Sequence, residues 1–350
     1  MRSWSAQRRT WMKSRCGIGR ACSDTGLIQH AWHAQGMSSC TLGYLVPTRE
    51  AVMSGDVSAR PLLALAERAE RTGYDSVWVG DSIVARPRHE PLSMLAALAA
   101  RTERVTIGTA VLLPVLRHPV VMAHQVATVD RIAEGRLVLG VGIATDNPTT
   151  RHEFAAVAVD FERRVGRMND HLGICRRLWA GERITHHSDF YDIDDVAVSP
   201  TPHRDGGPPI WVAGSSAAAQ RRVGERYDGW MPIGPVEGFA PGLNEVHAAA
   251  TAAGRDPATI ATATYLTVSI DDDASRAEQV LDNYLAAYYP APPAAMKALQ
   301  ATYAGTADGL VGWVQEFTDA GAQHLILRFA GDHERHMDQC IDLLGSLRTA

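Results

Sequence analysis

Four short stretches hold residues able to do chemistry, and each lies where an apolar run gives out. "GDSIVARPRHEP" (80–91) carries Asp81, Ser82, Arg86, Arg88, His89 and Glu90. "GTAVLLPVLRHP" (108–119) ends in Arg117 and His118 before Pro119. "GVGIATDNP" (140–148) has Gly140 and Gly142, which let a ligand approach the backbone. "WVAGSSAAAQRR" (211–222) closes a strand and opens a helix at Gly214-Ser215-Ser216. Free N–H groups and two hydroxyls there suit a phosphate, although Ser215 could equally be a plain helix cap. A histidine titrates near neutral pH and suits acid–base work, so His118, Asp81 and His89 are the candidates for proton transfer. His118 has a plainer reading as the residue that begins a helix, and Asp81 as a loop cap. His186 and His187 have no partners at metal spacing and read as solvated turn residues; no metal site is expected.

Such residues need elements to position them. From residue 41 onward, short apolar runs alternate with amphipathic stretches. The strand candidates are 41–46, 76–80, 105–111, 137–142, 210–213, 229–232, 263–270 and 324–329. The helix candidates are 58–71, 91–100, 118–132, 161–179, 215–225, 238–253, 309–320 and 333–347. In the first of these, Leu62, Leu65, Ala66 and Ala69 share one face and Gly73 is a stop signal. Near-continuously apolar strands are those of a parallel sheet buried on both faces. The pattern predicts an α/β fold, a (β/α)8 TIM-type barrel with an insertion after the fourth strand. An open doubly wound sheet is the alternative, but no GxGxxG opens the first helix. The insertion is long, and the alternation of Phe190, Ile193 and Val196 suggests a hairpin or two short edge strands within it. The stretch 288–305 is read as irregular. Long loops at the C-terminal ends of barrel strands build the walls of a site.

Composition narrows the class. The chain of 350 residues is 46% hydrophobic and 21% charged, with net charge −5 and no basic stripe, which argues against nucleic acid as a partner. No apolar run reaches the roughly 18 residues of a membrane span. The five cysteines (Cys16, Cys22, Cys40, Cys175, Cys340) are scattered and read as reduced thiols, consistent with a cytoplasmic protein. Residues 1–36 differ from the rest. They hold six of the 34 basic residues and one of the 39 acids, together with Trp4, Trp11 and Trp32 of the eight tryptophans. They read as an upstream extension or leader outside the fold, with a transit peptide as the alternative; the domain is taken as 37–350. No GxSxG, HExxH or Walker loop occurs.

Taken in order, "GYDSVWVGDS", "RVTIGTAVLLPVLRHPVVMAHQVATVDRIAEGRLVLGVG", "FERRVGRMNDHLGICRRLWAGE", "PPIWVAGSSAAAQRRVGERYDGWMP" and "AGAQHLILRF" resemble the luciferase-like monooxygenase superfamily, whose members use flavin or the deazaflavin coenzyme F-420. The resemblance implies a cofactor at the C-terminal end of the strands. It places Asp81 near the cofactor ring and a non-proline cis peptide at Ala110-Val111, a bulge under the ring. It places Gly142, Ile143, Ala144 and Thr145 beside the ring, and Ala213, Gly214, Ser215 and Ser216 against the cofactor tail. Asp130, Gly135 and Arg136 match scaffold positions. Departures are Ser82, where relatives carry histidine, and Thr145, where deazaflavin sugar-phosphate dehydrogenases have glutamate. Luciferases bind the flavin phosphate with an arginine near that spot; the nearest here is Arg151. Neither light emission nor sugar-phosphate oxidation is therefore expected. The leading expectation is an FMN-dependent monooxygenase, using reduced flavin and O2 on a small organic substrate, with a separate flavin reductase as partner. The alternatives are a coenzyme F-420-dependent hydride-transfer oxidoreductase and a non-catalytic flavin-binding barrel. Assembly as a homo-oligomer is left open.

Overall fold

The computed structural model describes residues 40–348. The readings made for residues 1–36, Cys16 and Cys22 among them, lie outside the described residues. The strands are β1 (Thr41–Leu45), β2 (Ser76–Val79), β3 (Thr106–Thr109), β4 (Leu137–Val141), β5 (Ile184–His187), β6 (Asp192–Val196), β7 (Ile210–Val212), β8 (Gly229–Trp230), β9 (Ala261–Ile270), β10 (Ala301–Gly305) and β11 (His324–Phe329). Hydrogen bonding runs β11-β1-β2-β3-β4-β7-β8-β9, and β9 pairs back to β11, so eight parallel strands close a barrel. The expected fold class is the observed one. β5 and β6 form the antiparallel hairpin of the insertion after β4.

Twelve helices are described: α1 (Thr48–Ser54), α2 (Ala59–Thr72), α3 (Pro91–Arg101), α4 (Pro119–Ile132), α5 (Pro148–Ala156), α6 (Arg164–Trp179), α7 (Ala217–Arg226), α8 (Phe239–Ala252), α9 (Ala274–Tyr288), α10 (Pro293–Leu299), α11 (Ala307–Asp319) and α12 (His333–Arg348). α2 shows why these residues form helices. Leu62, Ala66 and Ala69 are buried on one face, and Gly73 ends the helix at φ 104°, a left-handed value that a glycine adopts without cost. Pro91, Pro119 and Pro148 each occupy a first helical position, where a missing N–H costs nothing.

The stretch 288–305 is more ordered than its composition suggests. It contains α10 and then β10, which runs parallel to the outer half of β9. β10 is partly exposed and lacks strict alternation, so its apolar pattern carries no strand signal. α1, α5 and α9 are likewise additions to the sequence reading.

Two layers of apolar packing hold the barrel. The larger lies between strands and helices and includes Leu42, Val77, Ile107, Leu139 and Leu327. The smaller fills the barrel interior with Leu45, Trp78, Val138, Trp211, Met231, Ala263 and Ile326. Because side chains alternate along a strand, the interior residues two positions further on must face the mouth. That rule selects the floor of any site. Cys40, Cys175 and Cys340 are buried, and Cys175 and Cys340 are free thiols.

Candidate functional site

The interior positions nearest the mouth are small on one side. Beyond Trp78 comes Gly80, beyond Gly108 comes Ala110, beyond Gly140 comes Gly142, and beyond Trp211 comes Ala213. β3 ends at Thr109, and the Ala110–Val111 peptide is cis. Its flanks are fixed: Ala110 N–H donates to Val79 O at 2.8 Å and Leu112 N–H to Gly140 O at 2.7 Å. Gly142 lies against this segment, and a Cβ there would come 2.8 Å from Val111 Cγ2. The result is a shallow floor with little side-chain relief. Beside it, Ile143 O accepts from Arg164, Ala144 has φ 59°, and Thr145 O accepts from Asn147, the cap of α5.

Asp81 stands at the end of β2 with its carboxylate fully engaged. Oδ2 accepts from Leu113 N at 2.9 Å and from Arg117 Nη1 at 2.6 Å, and Oδ1 accepts from Arg117 Nη2 at 3.1 Å. Arg117 also donates to Glu90 Oε1 at 2.9 Å. Burial works to lower the Arg117 pKa, but the bonds and charges of Asp81 and Glu90 outweigh it and raise the pKa. Burial likewise acts to raise Glu90, and the bonds from Ser93 and Arg117 hold it low. This triad ties the strand-end loops of β2 and β3 together.

The loop after β2 has a second anchor. Glu153 on α5 is 1% exposed. Its Oε1 accepts from Ser82 Oγ at 2.7 Å, Ile83 N at 2.6 Å, Val84 N at 2.8 Å and Ala85 N at 3.3 Å. Successive N–H groups curled around one anion form a nest. Ser82, at the position where relatives carry histidine, is thus a loop-shaping hydroxyl.

At the fifth barrel strand, Gly214 has φ 149°, and a Cβ on it would sit 2.8 Å from that of Ala219. The cap of α7 is Ser216, whose Oγ accepts from Ala219 N at 3.3 Å, and not Ser215. Ser215 Oγ instead donates to Ile233 O at 2.8 Å. Ala219 N–H is taken by Ser216, whereas Ala217 and Ala218, the first two residues of α7, lie at the exposed rim with no helical acceptor for their N–H groups.

The two histidine candidates are structurally engaged. His118 Nδ1 accepts from Val120 N at 3.3 Å and caps α4, and its ring packs edge-on against Tyr191 with centroids 5.9 Å apart. His89 Nε2 lies 2.9 Å from Val57 O and Nδ1 lies 3.4 Å from Thr48 O, so the ring bridges two backbone carbonyls. Arg151 is paired with Asp146 and Glu162 at the surface. His187 lies with Asp192 and Asp194 in an exposed group on the hairpin.

Sequence reading missed the other half of the mouth. Arg328 on β11 follows His324 and Ile326 on the inward face and is 1% exposed. Its guanidinium lies among the rings of Tyr265, Tyr284, Tyr288 and Tyr289, with Cζ between 4.8 and 5.6 Å from their centroids. Arg88 lies on the backbone of Gly80, where a Cβ would collide with it, and donates to Tyr288 Oη at 3.2 Å. The available signal was a charged residue at an inward position of an otherwise apolar strand.

A closed parallel barrel with a flat floor at its C-terminal mouth defines a class of ligand-binding barrels. A model described as Luciferase-like monooxygenase matches residues 40–347, and the chain belongs to that family. An F420-dependent glucose-6-phosphate dehydrogenase of Beutenbergia cavernae is 36% identical over 178 residues, 49% of this chain and 52% of that relative. One from Nakamurella multipartita is 33% identical over 231 residues, 62% of this chain and 66% of that relative. The chain thus spans about half the length of the first relative and just under two thirds of the second. A solved F420-dependent secondary alcohol dehydrogenase, in complex with an F420-acetone adduct, superposes with TM-score 0.76 at 20% identity, covering 89% of this chain and 99% of that one; it shows the shared fold.

Proposed function

We propose that this chain is an oxidoreductase that uses coenzyme F-420 for hydride transfer to or from a small organic substrate. This reverses the order of the two leading sequence expectations. The observation that supports it is that the relatives at 33 and 36% identity both carry F420 dependence in their names. Their sugar phosphate is not assigned, because Thr145 stands where the resemblance calls for glutamate.

The floor fits a flat tricyclic ring. Ala110, Gly142 and Ala213 leave its surface low, Gly80 being covered by Arg88 of the opposite wall, and the Gly142–Val111 contact leaves no room for a further carbon. When bound, the deazaflavin accepts or delivers a hydride and avoids oxygen chemistry. The chain's own groups then have separate tasks. The Asp81–Arg117–Glu90 triad fixes the backbone at Leu113, next to the floor that would hold the ring. Glu153 fixes the loop after β2. Gly214 and the N-terminus of α7 are the proposed seat of the tail phosphate, since exposed N–H groups and the helix dipole favour an anion there. Preorganised contacts of this kind hold reactants in one geometry and exclude water.

Titration of the purified protein with F-420, FMN and reduced FMN separately tests the reading. F-420 is expected to bind tightest. Tighter binding of FMN, with turnover that consumes O2, would return the protein to the monooxygenase reading.

A further inference from the structure

The mouth has two unlike halves. Across from the small residues of β4 and β7 stands a wall of arginines and tyrosines from β9, β11, α1, the loop after β2 and the C-terminal end of α9. Arg328 gives Nε and Nη2 to Thr267 Oγ1 at 3.0 and 2.7 Å, Nη1 to Tyr289 Oη at 2.9 Å, and Nη2 to Gln300 Oε1 at 2.9 Å. All its partners are neutral. Arg88 bonds Tyr288 Oη and Arg86 O. Arg49 lies 4.7 Å from the Tyr288 ring centroid and donates Nη2 to Tyr288 O at 3.0 Å; its Nε and Nη1 are buried without a partner. Arg86 lies 5.3 Å from the centroid of Tyr289. Among the described residues none of these four forms a salt bridge, whereas nearby Arg117 has two carboxylates. Glu50, next to Arg49 in sequence, accepts from Tyr284.

Four cations gathered at a half-buried wall repel one another, and a buried charge without a counter-charge is costly. Phenol oxygens and ring faces offset that cost without supplying a formal negative charge. Burial lowers the Arg49 pKa, with Arg88 and Arg86 adding to this effect and Tyr288 and Glu50 opposing it, whereas in Arg88 and Arg328 burial is outweighed by the surrounding tyrosines and the pKa is raised. A guanidinium is best satisfied by a planar or tetrahedral oxyanion. We propose that this wall is the receptor for an anionic oxygen group of the substrate, a carboxylate or a phosphate. The protein then acts on an organic acid or phosphate ester and not on a neutral alcohol or ketone. Naming the ligand as substrate rests on the function proposed above; the receptor itself does not.

The test is calorimetric titration of inorganic phosphate and of succinate into the full chain, with and without F-420, at ionic strength fixed with chloride. At least one probe is expected to bind. Arg88→Gln and Arg49→Gln are each expected to weaken it about 10-fold or more, the loss of one charge-assisted bond, while F-420 affinity stays unchanged. Arg151→Gln, at a surface ion pair, should leave probe binding as it was. A preference for succinate identifies a carboxylic acid and a preference for phosphate a phosphate ester; with arginine dependence, either supports the proposal. Binding of neither probe overturns it, as does binding that Arg88→Gln and Arg49→Gln leave intact. Loss of F-420 affinity together with probe affinity also overturns it, because the wall would then serve the coenzyme. If the wild type binds no F-420 yet holds a probe through these arginines, the coenzyme assignment fails and the receptor stands.

Discussion

Asp81 and Arg117 form the most consequential pair at the mouth, with side chains 1% and 12% exposed. Removing one member of a buried pair strands the other charge. Asp81→Ala is expected to cost about 3 kcal/mol, read as a lowered urea midpoint. Glu90→Gln should cost about 1 kcal/mol or less, since its carboxylate is 43% exposed. His118 makes the opposite case. With Nδ1 accepting from Val120, its geometry is that of a cap, so His118→Ala should lose about 1 kcal/mol of stability. Turnover should then stay within a few-fold of wild type; a loss of about 100-fold at unchanged folding would restore it as the acid–base group. Sequence reading located Asp81, Arg117 and His118 at the right strand ends. It could not choose among their partners, because carboxylate and guanidinium lie 36 residues apart and meet only through adjacent strands.

At the scale of elements, α5 and the loop after β2 act as one unit. Four donors converge on one oxygen of Glu153, and three of them are consecutive backbone amides. Glu153→Ala removes the anion from the nest and frees the loop. Amide exchange at Ile83 and Val84 should then accelerate by about 10-fold or more, measured by mass spectrometry, as expected for loss of a roughly 1.5 kcal/mol charged hydrogen bond. The N-terminus of α7 offers a second test at this scale. Gly214→Val places a branched side chain at φ 149° and against Ala219, so F-420 binding should weaken while the barrel still folds. Elements were legible where periodicity was strong, as in α2 and β11. β10 was illegible because its half-exposed residues follow a proline-rich approach, and only its pairing with β9 makes it a strand. Glu153 was hidden for a related reason: its environment consists of a loop some seventy residues away.

For the whole molecule, the centre of the barrel sets the response to acid. His324 lies between Trp78 and Trp211 and bonds Ser76 Oγ at 2.8 Å. Burial lowers its pKa to about 3. His171, on α6 against Tyr191, is also lowered to about 3, by burial first and then by His118, Arg117 and Arg167. Both are neutral in the fold, while an unfolded histidine titrates near 6.5. Between those values the unfolded chain binds more protons, so stability falls as pH drops below about 6.5. Each histidine is expected to remove about 2 kcal/mol between pH 7 and pH 5, a large share of a typical 5–15 kcal/mol. Burial lowers His333 and His336 as well, and they act in the same direction. His187 opposes them, since its bond to Asp192 raises it, but it sits exposed on the hairpin. Asp271, held at about 2 by Arg276, acts only below the ordinary carboxylate range and leaves this window clear. Urea midpoints at pH 7 and pH 5 measure the effect. His171→Phe should flatten the dependence by about 2 kcal/mol, whatever it does to stability at pH 7. An equally steep dependence in that variant would mean that His171 takes up its proton without unfolding, and that the contacts around Tyr191 open in acid.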